Sequence, residues 1–100
     1  MALSLNTRKR LIVALTDKNS GLELANAIDT HVALSAPTLR RLIVAMTSSR
    51  AGKEVAAAIV SGASLTTNAK RRIMIAVTSQ TVGQEIIAAI EAVPSKPIKL

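Results

Sequence analysis

Three stretches of this chain are versions of one another. Arg10–Ile28 reads RLIVALTDKNSGLELANAI, Arg41–Ile59 reads RLIVAMTSSRAGKEVAAAI, and Arg72–Ile90 reads RIMIAVTSQTVGQEIIAAI. Successive copies lie 31 residues apart and align without a gap. Repeats of this length are characteristic of two-helix units that cannot bury their apolar faces alone and stack on their neighbours. The expected fold is therefore all-α: three tandem helix-turn-helix units and about six short helices. They form either a short solenoid or a compact pseudo-three-fold bundle. The units span residues 3–33, 34–64 and 65–93 of one small domain, and residues 94–100 follow as an extended arm.

Composition supports helices over strands. Seventeen Ala and no Phe, Tyr or Trp suit thin, closely packed helices and lack the β-branched and aromatic bias of sheets. Each unit opens on Leu and a hydroxyl residue, Leu3-Ser4, Leu34-Ser35 and Leu65-Thr66. That pair predicts an N-cap preceded by a hydrophobic staple. Pro37 falls in the first turn of the second unit's first helix, where its missing N–H costs little.

The first helices end in runs that are apolar on every side, LIVAL, LIVAM and IMIAV, which exceeds what one amphipathic stripe requires. Such a helix is expected to be covered twice, by its partner helix and by a neighbouring unit or subunit. The Ala at the fourth place of each run, Ala14, Ala45 and Ala76, leaves room for another backbone. Asp17, Ser48 and Ser79 then read as N-caps of second helices after a very tight turn. This places Gly21, Gly52 and Gly83 inside those helices. An interior Gly costs about 1 kcal/mol relative to Ala, so three of them predict a helix crossing with no room for Cβ. Gly52→Val is expected to cost more than propensity alone. The alternative starts each second helix at the Gly, with the preceding residues as loop.

Net charge is +7, which favours an acidic partner: nucleic acid, a membrane surface or an acidic protein. The same charge also keeps an Ala-rich protein soluble. Arg8-Lys9-Arg10, Arg40-Arg41 and Lys70-Arg71-Arg72 occupy equivalent places, as do Glu23, Glu54 and Glu85. The simplest pairing joins Arg10, Arg41 and Arg72 to those Glu residues and links the two helices of each unit. Lys9, Arg40 and Arg71, with Arg8 and Lys70, then remain as an unpaired basic stripe that can meet phosphates or an acidic protein. Stacking aromatics for single-strand recognition are absent, and the second helices share no base-reading side chains.

Nothing in the chain reads as catalytic. The chain has no Cys, which removes disulfides and thiolate chemistry. His31 is the single histidine, and Gly62 and Val93 are its counterparts. Asp29 and Glu91 are equivalent, but Val60 stands between them in the series, which argues against a paired-carboxylate site. No cofactor or metal is expected. Apolar runs of five residues fall far short of a membrane span or a signal peptide, so no membrane partner is expected. Ile98 and Leu100 give the Pro-bounded arm two apolar contacts for a partner.

The pattern carried by RLIVALTD…GLELANAI, RLIVAMTS…GKEVAAAI and RIMIAVTS…GQEIIAAI resembles helical segments of small virion proteins of tailed bacteriophages, over about nine-tenths of the chain. The resemblance implies a non-enzymatic, multi-copy, head-associated or capsid-decorating component that binds other virion proteins. Such a protein is made in the host bacterial cytoplasm. The resemblance assigns no functional residue.

Overall fold

A computed structural model describes residues 3–92. The described residues form six helices: α1 (Leu5–Leu15), α2 (Lys18–Thr30), α3 (Ala36–Met46), α4 (Ser49–Ser61), α5 (Thr67–Ala76) and α6 (Gln80–Glu91). No strand occurs among them. The proposed arm, with Ile98 and Leu100, lies outside the described residues.

The helix boundaries follow the caps. Asp17, Ser48 and Ser79 are extended N-caps, and their side chains accept from the N–H groups of Ser20, Ala51 and Val82 at 2.9, 3.1 and 3.2 Å. The three glycines are therefore interior to the second helices. A Cβ on Gly21 would come within 2.5 Å of the Ile12 Cα, and one on Gly52 within 2.6 Å of the Ile43 Cγ1. On Gly83 it would meet the Met74 Cγ at 2.5 Å. In each hairpin the first helix thus lies against the glycine of the second.

The turn between them is compressed into Thr16-Asp17, Thr47-Ser48 and Val77-Thr78-Ser79. Thr16, Thr47 and Thr78 have φ of 54°, 53° and 53°, a left-handed conformation that is uncommon for β-branched residues. Each Thr hydroxyl donates to the carbonyl of the residue before it at 2.6 Å.

Helices of 10 to 13 residues are marginal alone, so packing between units must hold them. The core takes Leu11, Leu42 and Ile73 from the first helices and Leu24, Val55 and Ile86 from the second. These six surround a hollow of about 20 Å³ with Ala14, Ala45 and Ala76. Its wholly apolar walls offer a water nothing to bond. The chain closes on itself, because α6 packs on α1 and α2. An open solenoid would leave those end units apart.

Polar bonds between units correct the expected Arg–Glu pairing. The Glu23 carboxylate accepts from the Ser35 N–H at 2.6 Å, the Ser35 hydroxyl at 2.9 Å and the Thr38 hydroxyl. Glu54 accepts from the Thr66 N–H at 2.7 Å and its hydroxyl at 3.0 Å. Glu85 accepts from the Ser4 N–H at 2.7 Å, the Ser4 hydroxyl at 3.1 Å and the Thr7 hydroxyl. At the other end, Arg41 donates to the Leu15 carbonyl at 3.1 Å and Arg72 to the Met46 carbonyl at 2.9 Å. Arg10 donates to the Val77 carbonyl at 3.1 Å.

Every first helix therefore has a Glu from one neighbouring unit at its N-terminus and an Arg from the other at its C-terminus. The physical reason is the orphan backbone groups of helix ends, which need partners, together with the helix dipole, which favours an anion at one end and a cation at the other. An exposed Arg–Glu pair contributes only about 0 to 1 kcal/mol, less than these capping bonds offer.

The junctions differ in one respect. Thr7 and Thr38 are fully buried beneath Glu85 and Glu23, whereas the equivalent of both is Ala69 beneath Glu54. Ala69→Thr is expected to stabilise by about 1 kcal/mol, the worth of one satisfied hydrogen bond, because the same surroundings accept Thr twice already. Urea unfolding of the variant checks this, and a lower midpoint would show that the third pocket is too small.

Candidate interaction face

Charge in the described residues separates into structural and free groups. All six carboxylates serve the fold. Asp17 caps α2; Glu23, Glu54 and Glu85 cap the first helices of neighbouring units. Asp29 accepts from the Leu3 N–H at 2.9 Å and pairs with Arg8. Glu91 accepts from the Leu65 N–H at 2.8 Å and lies 3.9 Å from the Lys70 Nζ.

Hydrogen bonds hold three of these carboxyls below their ordinary range. For Asp17 the chief cause is the Ser20 backbone N–H. For Glu23 it is the Thr38 hydroxyl, followed by the Ser35 N–H. For Glu85 it is the Ser4 N–H, followed by the Thr7 hydroxyl. A carboxyl whose folded pKa is lowered stabilises fully above its ordinary range and loses that contribution as pH falls through the folded value. The thermal midpoint is therefore expected to fall as pH drops below about 5. A Glu23→Gln/Glu85→Gln variant should start lower at pH 7 and show a flatter acid slope. An acid slope equal to that of the parent would assign the pH dependence elsewhere.

The expected basic stripe is accordingly narrower than the sequence suggested. Arg8 pairs with Asp29 and the Lys70 Nζ lies 3.9 Å from Glu91, so neither is the unpaired cation that the sequence suggested. The signal was present in the sequence: where the first and third units carry Arg8/Asp29 and Lys70/Glu91, the second carries Leu39/Val60. Charge and counter-charge come and go together. Lys9, Arg40 and Arg71 are exposed and make no bond to a carboxylate among the described residues. Lys18, Arg50 and Lys53 are likewise exposed and unmatched among those residues, but the other units carry no cation at their places.

Beside each of the three cations, one helical turn on, stands an exposed aliphatic residue: Val13 at 73 %, Val44 at 71 % and Ile75 at 68 %. These are the central residues of the apolar runs that the sequence predicted to be covered on two sides. The structure covers Leu11 and Leu15 but leaves the middle open, because the partner helix and the neighbouring unit together do not encircle the helix. Lys9 and Val13 border a groove completed by Ala76, Val77 and Thr78 of another unit, with a volume of about 400 Å³. Arg40 and Val44 border a similar groove, about 430 Å³, completed by Ala14, Leu15 and Thr16. No acidic side chain lines either groove.

No protein-family model, curated protein or solved structure matches this chain.

His31 ends α2 in the left-handed conformation at φ 60°, the place that Gly62 takes after α4 at φ 76°. It stands apart from both grooves. No three His, Cys, Asp or Glu side chains among the described residues group in a way that could hold a metal. No helix among those residues is long and apolar enough to cross a membrane.

Proposed function

We propose that this protein is a non-enzymatic structural component that binds acidic protein surfaces through the exposed face of α1, α3 and α5. The observation that carries this reading is the pairing of a free cation with an exposed aliphatic residue on each of those helices, Lys9 with Val13, Arg40 with Val44 and Arg71 with Ile75. Aliphatic groups gain free energy when a partner covers them, and cations at the margin select an acidic partner and speed encounter. The resemblance of the repeated pattern to virion segments of tailed bacteriophages makes capsid and other virion proteins the partners of choice. On this reading the protein is a multi-copy part of the phage particle, made in the host cytoplasm.

The second reading is a nucleic-acid-binding accessory protein. Its support is the surplus of exposed cations, since every carboxylate is engaged in the fold. Phosphates would use the cations but gain nothing from three exposed aliphatic residues, which is why protein binding ranks first. Titration with duplex DNA at about 50 and 200 mM salt separates the two. A phosphate-binding face loses affinity steeply between them, and Arg40→Glu/Arg71→Glu should abolish the binding. Weak DNA binding that is indifferent to those substitutions, with co-purification of the protein on assembled particles, supports the first reading.

A further inference from the structure

The fold uses its repeat at buried positions and at the bonds between units, and has no need of it at exposed positions that make no such bond. Exposed positions on the second helices show this: Leu22, Lys53 and Gln84 are equivalent and unrelated, as are Asn19, Arg50 and Thr81. On the first helices, Leu5, Ala36 and Thr67 have diverged as well. Against that background, Lys9, Arg40 and Arg71 keep a cation, and Val13, Val44 and Ile75 keep a β-branched aliphatic residue, all six without a role in the core. Thr16, Thr47 and Thr78 also persist, but Arg41, Arg72 and Arg10 bond them. The cation–aliphatic pair is thus kept at all three places for something outside the chain.

The two grooves described above share a wall at Ala14. Ala14 also lines the apolar hollow between the units. Val13 and Val44 therefore flank the same end of the ring, and the repeat puts Ile75 at the corresponding place beside Ala76.

Resting on the protein-binding reading, we infer that this face is trivalent: it seats three copies of one acidic, amphipathic helical segment, presented by a partner with local three-fold symmetry. Each cation–aliphatic pair takes one segment, with its apolar stripe on Val13, Val44 or Ile75 and its carboxylates toward Lys9, Arg40 or Arg71, in the helix-in-groove manner. A second copy of this chain does not fit, because the same face would set cation against cation. A single asymmetric partner would leave two of the three pairs without use. Three weak seats acting together gain affinity through effective concentration, typically by 10²- to 10⁴-fold over one.

The experiment uses the full chain and a synthetic peptide helix with Leu at i, i+3, i+4 and i+7 and Glu elsewhere, either free or fused to a trimeric coiled coil. Titration of free peptide, followed by backbone amide NMR, should perturb residues 6–16, 38–47 and 68–78 and saturate near three peptides per chain. The trimeric form should bind one per chain, at least about 100-fold tighter. Arg40→Glu, Arg71→Glu and Val44→Ser should weaken the trimer stepwise while leaving the thermal melt unchanged, since all three residues are exposed. One peptide per chain, or equal affinity for free and trimeric peptide, overturns trivalency and leaves the protein-binding reading standing. Absence of peptide binding overturns both, and salt-steep DNA binding in its place establishes the nucleic-acid reading.

Discussion

Gly21→Ala is expected to destabilise the protein by about 3 kcal/mol or more, although Ala is the better helix former by about 1 kcal/mol. The added Cβ would lie 2.5 Å from the Cα and 2.8 Å from the backbone nitrogen of Ile12. Backbone atoms cannot rotate away, so α1 must move off α2, loosening Leu11, Leu15 and Leu24 together. Overpacking a well-packed interface costs about 1 to 3 kcal/mol even where side chains can adjust. Gly83→Ala should cost less, because its nearest obstacle is the flexible Met74 side chain, with the Met74 Cα at 3.0 Å. Gly52→Ala should fall between them, and Gly52→Val should exceed it. Thermal or urea melts of the three Ala variants check the order Gly21, Gly52, Gly83. Equal small effects would show that the helices separate at little cost.

Glu85→Ala should cost about 2 to 3 kcal/mol, the range for removing a charged acceptor from satisfied partners. Three donors lose it, and one of them, the Thr7 hydroxyl, is fully buried. Glu85 also bonds across the junction where no peptide chain joins the units, so its loss acts where the ring is held by non-covalent contacts alone. Glu23→Ala removes the same three bonds, whereas Glu54→Ala removes two, since Ala69 has no hydroxyl to lose. The expected ranking in urea is therefore Glu85 and Glu23 together, then Glu54. A ranking with Glu54 first would remove the buried threonines from the explanation.

The helices and their starts were legible in the sequence because caps are local. Asp17 and Ser20, or Ser48 and Ala51, are three residues apart, and the chemistry that joins them is visible in a short window. The interior placement of Gly21, Gly52 and Gly83 followed from those caps. Which unit an Arg or Glu serves was not legible. A periodic sequence shows that Arg10, Arg41 and Arg72 are equivalent but gives their distance to a partner only to within a whole number of repeats. Glu23 sits next to Arg10 in its own unit's pattern, yet its partners are Ser35 and Thr38 in the next unit.

The candidate face was half legible. Lys9, Arg40 and Arg71 stood out as cations that the fold did not need. Val13, Val44 and Ile75 were hidden inside apolar runs, where only accessibility separates a core residue from an uncovered one. Arg8 and Lys70 were read as unpaired because Asp29 and Glu91 were not considered as their partners, Val60 having been weighed only as a break in an acidic series. The departure of its neighbour Leu39 from the basic series in the same unit was the more informative comparison.

That comparison follows from joining three like units in one chain. Three separate copies of a single unit would have to accept any substitution at all three places at once. Here each place is encoded independently, so the second unit carries Leu39 and Val60 where the others carry Arg8 with Asp29 and Lys70 with Glu91. The same freedom means that one cation–aliphatic pair can change while the other two stay as they are, a route to asymmetry that an assembly of identical subunits does not have.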